Sequence, residues 1–185
     1  MSYSRKRVAP IIASVVGALM LAFLWILVTA EPNTADDADS PLLGQPAPSV
    51  ISTTIDDQEF VLANRKGSWV IFNFFNSTCV PCIAEHPELV AFNERETQAT
   101  NPAEIYTVIN DDNDASVRAF FSKNGGTWPK VRDTDGAISV AFGVAKVPET
   151  WVIDPNGFVR LRIAGMLTPG LLDDQLAQLK TQFGS

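Results

Sequence analysis

The chain has 185 residues, 46% of them hydrophobic and 19% charged, with a mean hydropathy of +0.08. That is too apolar for a disordered tail and long enough for one compact domain. All 21 acidic residues lie after residue 30 but only 11 of the 14 basic ones, so that part carries 11 − 21 = −10, which repels phosphate backbones and excludes nucleic acid as a partner.

The N-terminal sequence reads as a membrane anchor. Val8 to Ala30 is an uncharged run of 23 residues, and at about 1.5 Å per residue it spans the hydrocarbon core of a bilayer. Arg5-Lys6-Arg7 precedes it and Glu31, Asp36, Asp37 and Asp39 follow it. The positive-inside rule then leaves residues 1–7 in the cytoplasm and everything after residue 30 outside, on a single-pass signal-anchor in the cell membrane. Val28-Thr29-Ala30 also fits a signal-peptide cleavage site, but signal-peptide apolar cores run only about 7–15 residues. In either case the domain is extracytoplasmic, where thiols meet oxidants. Residues 31–48 hold four prolines and several acids with no usable period. They read as a flexible tether, leaving 49–185 for the folded domain.

Within the domain, Val50–Ile55 and Glu59–Leu62 read as a hairpin around Asp56-Asp57. The β-prone apolar run Trp69–Phe75 has the pattern of a strand buried on both faces. A helix follows from Val80 to Gln98, then a strand over Glu104–Asn110, then a helix capped by Asp114 that buries Val117, Phe120 and Phe121. A strand at Lys130–Arg132 and a short helix at Ala137–Phe142 come next. Glu149–Ile153 and Phe158–Ala164 flank the turn Asp154-Pro155-Asn156-Gly157, a strong hairpin signal. Thr168 then caps a last helix, with Pro169 at its first position and Leu172, Leu176 and Leu179 on one face. Strands alternating with helices indicate an α/β domain with a mixed sheet between helices.

The chemical signal is Cys79-Val80-Pro81-Cys82, which follows the buried strand after a short turn and opens a helix. A thiol at a helix N-terminus meets unpaired backbone N–H groups and the positive end of the dipole, both of which favour thiolate. Cys79 is then the exposed nucleophile, and Cys82, one turn inside, is the resolving thiol. A purely structural bridge is a weaker reading, because closing a two-residue loop restrains the unfolded chain very little. Two cysteines exclude a four-thiolate zinc site, and a metal held by both of them and His86 lacks a fourth ligand. A thiol peroxidase needs a Pro and Thr pattern ahead of its cysteine, and Phe72 and Asn76 stand at those positions. The run Asp111-Asp112-Asn113-Asp114 lacks the Gly and Glu of a calcium loop and reads as a solvated turn and helix cap. His86 is given no role, and Trp69, Trp128 and Trp151 read as core aromatics.

Taken together, FNFFNSTCVPCIAEHP and GVAKVPETWVIDPNG resemble the membrane-anchored, extracytoplasmic thioredoxin-like proteins of cytochrome c maturation. The group includes the ResA and TlpA types, and the likeness is greatest to the CcmG/DsbE type. The resemblance covers about residues 45–183. It implies a thioredoxin-like fold with a family insertion, and a cis peptide at Val147-Pro148 packed beside the cysteine pair. The backbone before that proline is where such proteins bind an extended substrate by strand addition. Glu85 matches the family's acid three residues after the second cysteine, and Glu149 the acid of its Pro-Glu-Thr motif. Asn73 stands where ordinary thioredoxins have a buried Asp, as is usual in the anchored group. Thr78 departs from the family's Trp before the first cysteine, which bears on partner docking and not on the redox chemistry.

The function implied is thiol:disulfide exchange through a redox-active Cys79–Cys82 pair, with no bound cofactor or metal. Its expected substrates are disulfides of apocytochrome c or of the haem-ligation proteins, and its expected electron source is a membrane thiol reductant. The rival readings are a disulfide-forming oxidase or isomerase for exported proteins, and a tethered binding module whose bridge is only a staple. Glu85 and Glu149 are expected to bias the pair toward reducing work, since a nearby carboxylate opposes a thiolate.

Overall fold

A computed structural model of the chain describes residues 5–29, 36–37 and 40–184. It forms two separate compact units, Met1–Asn33 and Thr34–Ser185. In the first, helix α1 runs Arg5–Thr29, with its side chains described over residues 11–25. Those side chains are apolar all round the helix, and Ile11, Val15, Leu19, Met20 and Phe23 are all exposed. Among the described residues no helix is long and apolar enough to cross a membrane.

The second unit is built on a six-stranded sheet. Its strands are β1 (Asp36–Asp37), β4 (Val70–Phe75), β5 (Glu104–Ile109), β6 (Lys130–Arg132), β7 (Glu149–Ile153) and β8 (Val159–Ala164). The spatial order is β1-β8-β7-β4-β5-β6. β4, β5 and β6 are parallel, while β7, β8 and β1 pair antiparallel, so the sheet is mixed as expected. β4 lies at the centre with all six residues buried, which is why its sequence is a continuous apolar run and not an alternating one. One face carries Ile71, Phe75, Ile105, Val152 and Ile163 and packs against α2 (Val80–Glu96), α3 (Asp114–Asn124) and α5 (Leu171–Phe183). The other carries Phe72, Phe74, Tyr106 and Trp151 and is covered by α4 (Ala137–Phe142) and by the hairpin of β2 (Ile51–Thr53) and β3 (Glu59–Val61).

Three local expectations are corrected. The side-chain cap of α3 is Asn113, whose amide oxygen accepts from the Ser116 N–H at 2.9 Å, while Asp114 is drawn to Arg132 at 2.7 Å. Helix α5 begins at Leu171 behind Gly170, whose φ of 78° suits the missing Cβ, so Thr168 and Pro169 lie in the preceding turn. The tether is also shorter than its composition implied. The Gly44 N–H donates to Val159 O and the Ala47 N–H to Gly157 O, both at 2.8 Å, and Val159 N–H donates to Gln45 O at 2.9 Å. Leu42, Leu43 and Ala47 pack on the core. Asp36 and Asp37 pair with Ala164 and Ile163 as an edge strand. Residues 31–35, 38 and 39 of the expected tether, with residues 1–4 of the expected cytoplasmic end and residue 30 of the expected anchor, lie outside the described residues.

Candidate active site

The site sits where β4 gives way to α2. Asn76, Ser77 and Thr78 make the turn, and Cys79 is the N-cap residue of the helix with extended backbone. Pro81 lies in the first turn, where its missing N–H leaves no helical hydrogen bond unmade. Cys79 and Cys82 are joined in a disulfide, with Cα atoms 5.2 Å apart. The two sulfurs differ in access. Cys79 is half-buried, while Cys82 has no exposed surface and belongs to the core beneath α2. The Cys79 sulfur accepts a hydrogen bond from the Cys82 N–H at 3.2 Å, a donor that also suits a thiolate at this position. The same sulfur lies 3.6 Å from the Val147 carbonyl oxygen.

Val147 and Pro148 are joined by a cis peptide. Val147 is partly exposed beside Cys79, while Pro148 is buried and its carbonyl accepts from the Gly165 N–H at 3.0 Å. The Val147 carbonyl therefore stands beside the sulfur, with the cis-linked Pro148 buried next to it in the chain.

Glu85 is one turn beyond Cys82 on the inner side of α2 and is 1% exposed. One carboxylate oxygen accepts from Asn73 Nδ2 at 2.8 Å and the other from the Leu167 N–H at 2.7 Å. Burial outweighs those two donors and pushes its pKa up to about 7. A carboxyl group at that value takes up and releases protons near neutral pH. Asn73 also donates to Thr150 Oγ1 at 3.2 Å, and its own carbonyl oxygen is buried with no partner.

Glu149 departs from expectation. It is also 1% exposed, but it shares a sheet face with Trp151, and Cys82 and Glu85 lie under the opposite face. Its carboxylate is ion-paired with Arg162 at 2.8 Å and accepts from the Trp151 indole N–H at 2.8 Å. A carboxylate already neutralised on the far face is not the group that opposes a thiolate on Cys79. The register makes this legible, since Glu149 opposes Ala164 and so meets Arg162 diagonally. His86 packs among Phe75, Phe120, Phe121 and Trp128, with burial pushing its pKa down. Phe72 is a core residue on the face away from Cys82. Among the described residues no cluster could hold a metal ion.

A cysteine pair of unequal access at the N-terminus of a helix, beside a cis-proline and above a buried acid on a mixed α/β sheet, defines a thioredoxin-like thiol:disulfide oxidoreductase. The chain belongs to the AhpC/TSA family, whose model matches residues 43–162. It is 28% identical to the thiol:disulfide interchange protein DsbE of Pseudomonas aeruginosa, over 91% of this chain and 88% of that protein. A DsbE homolog of Paracoccus denitrificans is 30% identical over 77% and 76%, and the thiol-disulfide oxidoreductase ResA of Bacillus subtilis 28% over 74% and 75%. Among solved structures, a thiol:disulfide interchange protein of Chlorobium tepidum matches with a TM-score of 0.65 at 26% identity, covering 76% of this chain and 98% of that one. These findings set aside the reading of the bridge as a mere staple on a binding module.

Proposed function

We propose that the protein reduces disulfides of apocytochrome c or of its haem-ligation machinery on the outer side of the cell membrane. The observation that carries the reading is a half-buried Cys79 bridged to a fully buried Cys82, with Glu85 poised near neutral pH behind them. In the reduced protein the Cys79 thiolate attacks a partner disulfide. A bond forms between Cys79 and one partner sulfur, and the other partner sulfur leaves as a thiolate that takes a proton from solvent. Cys82 then gives its proton to the Glu85 carboxylate and attacks the Cys79 sulfur. The internal bridge closes as the second partner sulfur leaves as a thiolate, which takes up the proton from Glu85, and two electrons have moved from the pair to the partner. The Val147 backbone, level with the Cys79 sulfur, holds the partner in extended form. Glu149 and Arg162 fasten the strand that begins after Pro148. A membrane thiol reductant restores the dithiol, and no other cofactor is needed.

The uncharged run Val8–Ala30 and the apolar surface of α1 support anchoring of the chain, N-terminus inward. The likeness of the two cysteine and proline motifs to the cytochrome c maturation group supports the substrate class. The test is the reduction potential of the Cys79–Cys82 couple, measured beside its redox state in cells. A couple more reducing than its compartment and found reduced in cells supports the reading. A strongly oxidising couple found as disulfide overturns it in favour of an oxidase.

A further inference from the structure

Strands β4 and β5 are parallel neighbours in register, with Phe75 opposite Ile109. The loops leaving their ends therefore emerge side by side. One carries the turn into Cys79 and the other is the acidic run 111–114, which the exchange chemistry leaves unexplained. The two loops are joined by hydrogen bonds. The Ser77 N–H donates to Asp112 Oδ2 at 2.6 Å, and the other Asp112 oxygen accepts from the Asn113 N–H at 2.7 Å. Asn76 Nδ2 donates to the carbonyls of Asn110 at 3.0 Å and Asp111 at 2.7 Å. Asp111 has φ 46°, a left-handed conformation that Asp tolerates better than most residues. On its other side Asn76 Oδ1 accepts from the Thr78 N–H and hydroxyl at 2.8 and 2.6 Å, and the Asn76 carbonyl accepts from the Cys79 N–H at 3.1 Å.

We infer that Asp112 is a positioning residue for Cys79, clamping the turn so that the sulfur stays level with the Val147 backbone. The inference rests on reading Cys79 as the attacking thiol. Thr78 is small, polar and exposed, so it offers no large side chain to wedge this turn, and the bonds to the β5–α3 loop hold it instead. An ionised acceptor on a backbone N–H makes a stronger link than a neutral one. Asp112 also brings charge. Glu149 is paired with Arg162 on the far face and Asp114 with Arg132, while Asp133 accepts from the Ile138 and Ser139 N–H groups. Glu85 is buried below, and Asp111 and Lys146 are exposed on the flanking loops. Asp112 is the carboxylate hydrogen-bonded to the Cys79 turn itself, and its charge opposes thiolate formation.

The two effects separate experimentally in the full-length protein. Asp112→Asn keeps an oxygen for the Ser77 N–H but removes the charge, whereas Asp112→Ala removes both. Rates of exchange with a peptide disulfide are measured per Cys79 thiolate, using a thiolate absorbance titration of each reduced variant. Asp112→Ala is expected to be slower by about tenfold, the equivalent of one hydrogen bond, and Asp112→Asn to stay within about twofold of wild type on the same scale. Both variants are expected to lower the Cys79 pKa by an equal few tenths of a unit. A wild-type rate in Asp112→Ala, or a loss that Asp112→Asn does not rescue, overturns the positioning role. An unchanged pKa in both overturns the electrostatic half. Exchange retained by Cys79→Ser overturns the assignment of the nucleophile, and this inference with it.

Discussion

Glu85 has a folded-state pKa of about 7 against 4.5 for an ordinary glutamate, and burial is the largest cause. Between those values the unfolded chain has released the proton and the folded protein still holds it. Stability therefore falls as pH rises through that window, the opposite of a salt-bridged carboxylate. The size follows from the shift: the interval from 4.5 to about 7, at roughly 1.4 kcal/mol per unit, is about 3 kcal/mol. Glu85→Gln removes the ionisation with little change of shape. Its remaining oxygen can still accept from the Leu167 N–H. Its new amide can donate to the unpartnered Asn73 carbonyl oxygen once that side chain turns over.

Urea unfolding of the oxidised wild type and Glu85→Gln between pH 4 and pH 9 tests this without interference from titrating thiols. The two proteins are expected to agree within about 1 kcal/mol at the acid end, and the variant to be more stable by about 3 kcal/mol at the alkaline end. Parallel curves would refute the assignment of a near-neutral pKa to this group. The same substitution should leave attack by Cys79 within about threefold of wild type while slowing closure of the Cys79–Cys82 bridge by about a hundredfold, the low end for a lost proton acceptor. Equal slowing of both steps would show that Glu85 does not serve Cys82.

Cys82→Ala should accumulate mixed disulfides with partners and Cys79→Ser should not, because only Cys79 can be reached from outside; non-reducing gels of tagged protein decide this. Glu149→Gln should leave the Cys79 pKa within a few tenths of a unit but cost about 2 kcal/mol of stability, since it replaces the charge-assisted hydrogen bonds from a half-buried Arg162 with weaker neutral ones, as thiolate titration and urea unfolding would show. A truncated chain beginning at residue 49 should be less stable than one beginning at residue 40 by about 2 kcal/mol, from lost burial of Leu42, Leu43 and Ala47, with denaturation midpoints as the readout. If the run Val8–Ala30 anchors the chain as proposed, deleting it at equal abundance should lower complementation in cells while exchange on a soluble disulfide is kept, because tethering would raise the local concentration at membrane partners.

What the sequence made legible is what is local in the chain. The apolar run of β4, the Asp154–Gly157 turn and the cysteine pair at a helix start each depend on a few neighbouring residues. Their expected and observed bounds agree to within a residue or two. The cap of α3 is ambiguous in the sequence because two acceptors stand side by side. Asn113 and Asp114 both suit an N-cap, and only the position of Arg132, eighteen residues on, decides between them. The order of residues 40–47 is illegible for a related reason. Proline-rich acidic composition describes a chain that cannot form its own structure, but the Gly44, Gln45 and Ala47 backbone takes its hydrogen bonds from a neighbouring strand.

The site divides along the same line. Cys79, Cys82 and Glu85 share one helix, so their relation follows from helical spacing. The burial that raises the Glu85 pKa comes from tertiary packing, and the two donors that oppose it are Asn73, 12 residues away, and Leu167, 82 away. Glu149 shows the cost of carrying a charge over from a motif without its surroundings. In the sequence it is an acid next to the proline that faces the cysteines. On the strand, the side chains of Pro148 and Glu149 point to opposite sides, as successive residues must. The alternation that buries β7 on both faces therefore removes Glu149 from the sulfur, and the nearby hairpin supplies Arg162 to neutralise it. Besides Glu85 on the helix itself, a carboxylate that biases Cys79 must instead come from the loops that open on its own side of the sheet. That requirement singles out Asp112, which the acidic run had presented only as a solvated turn.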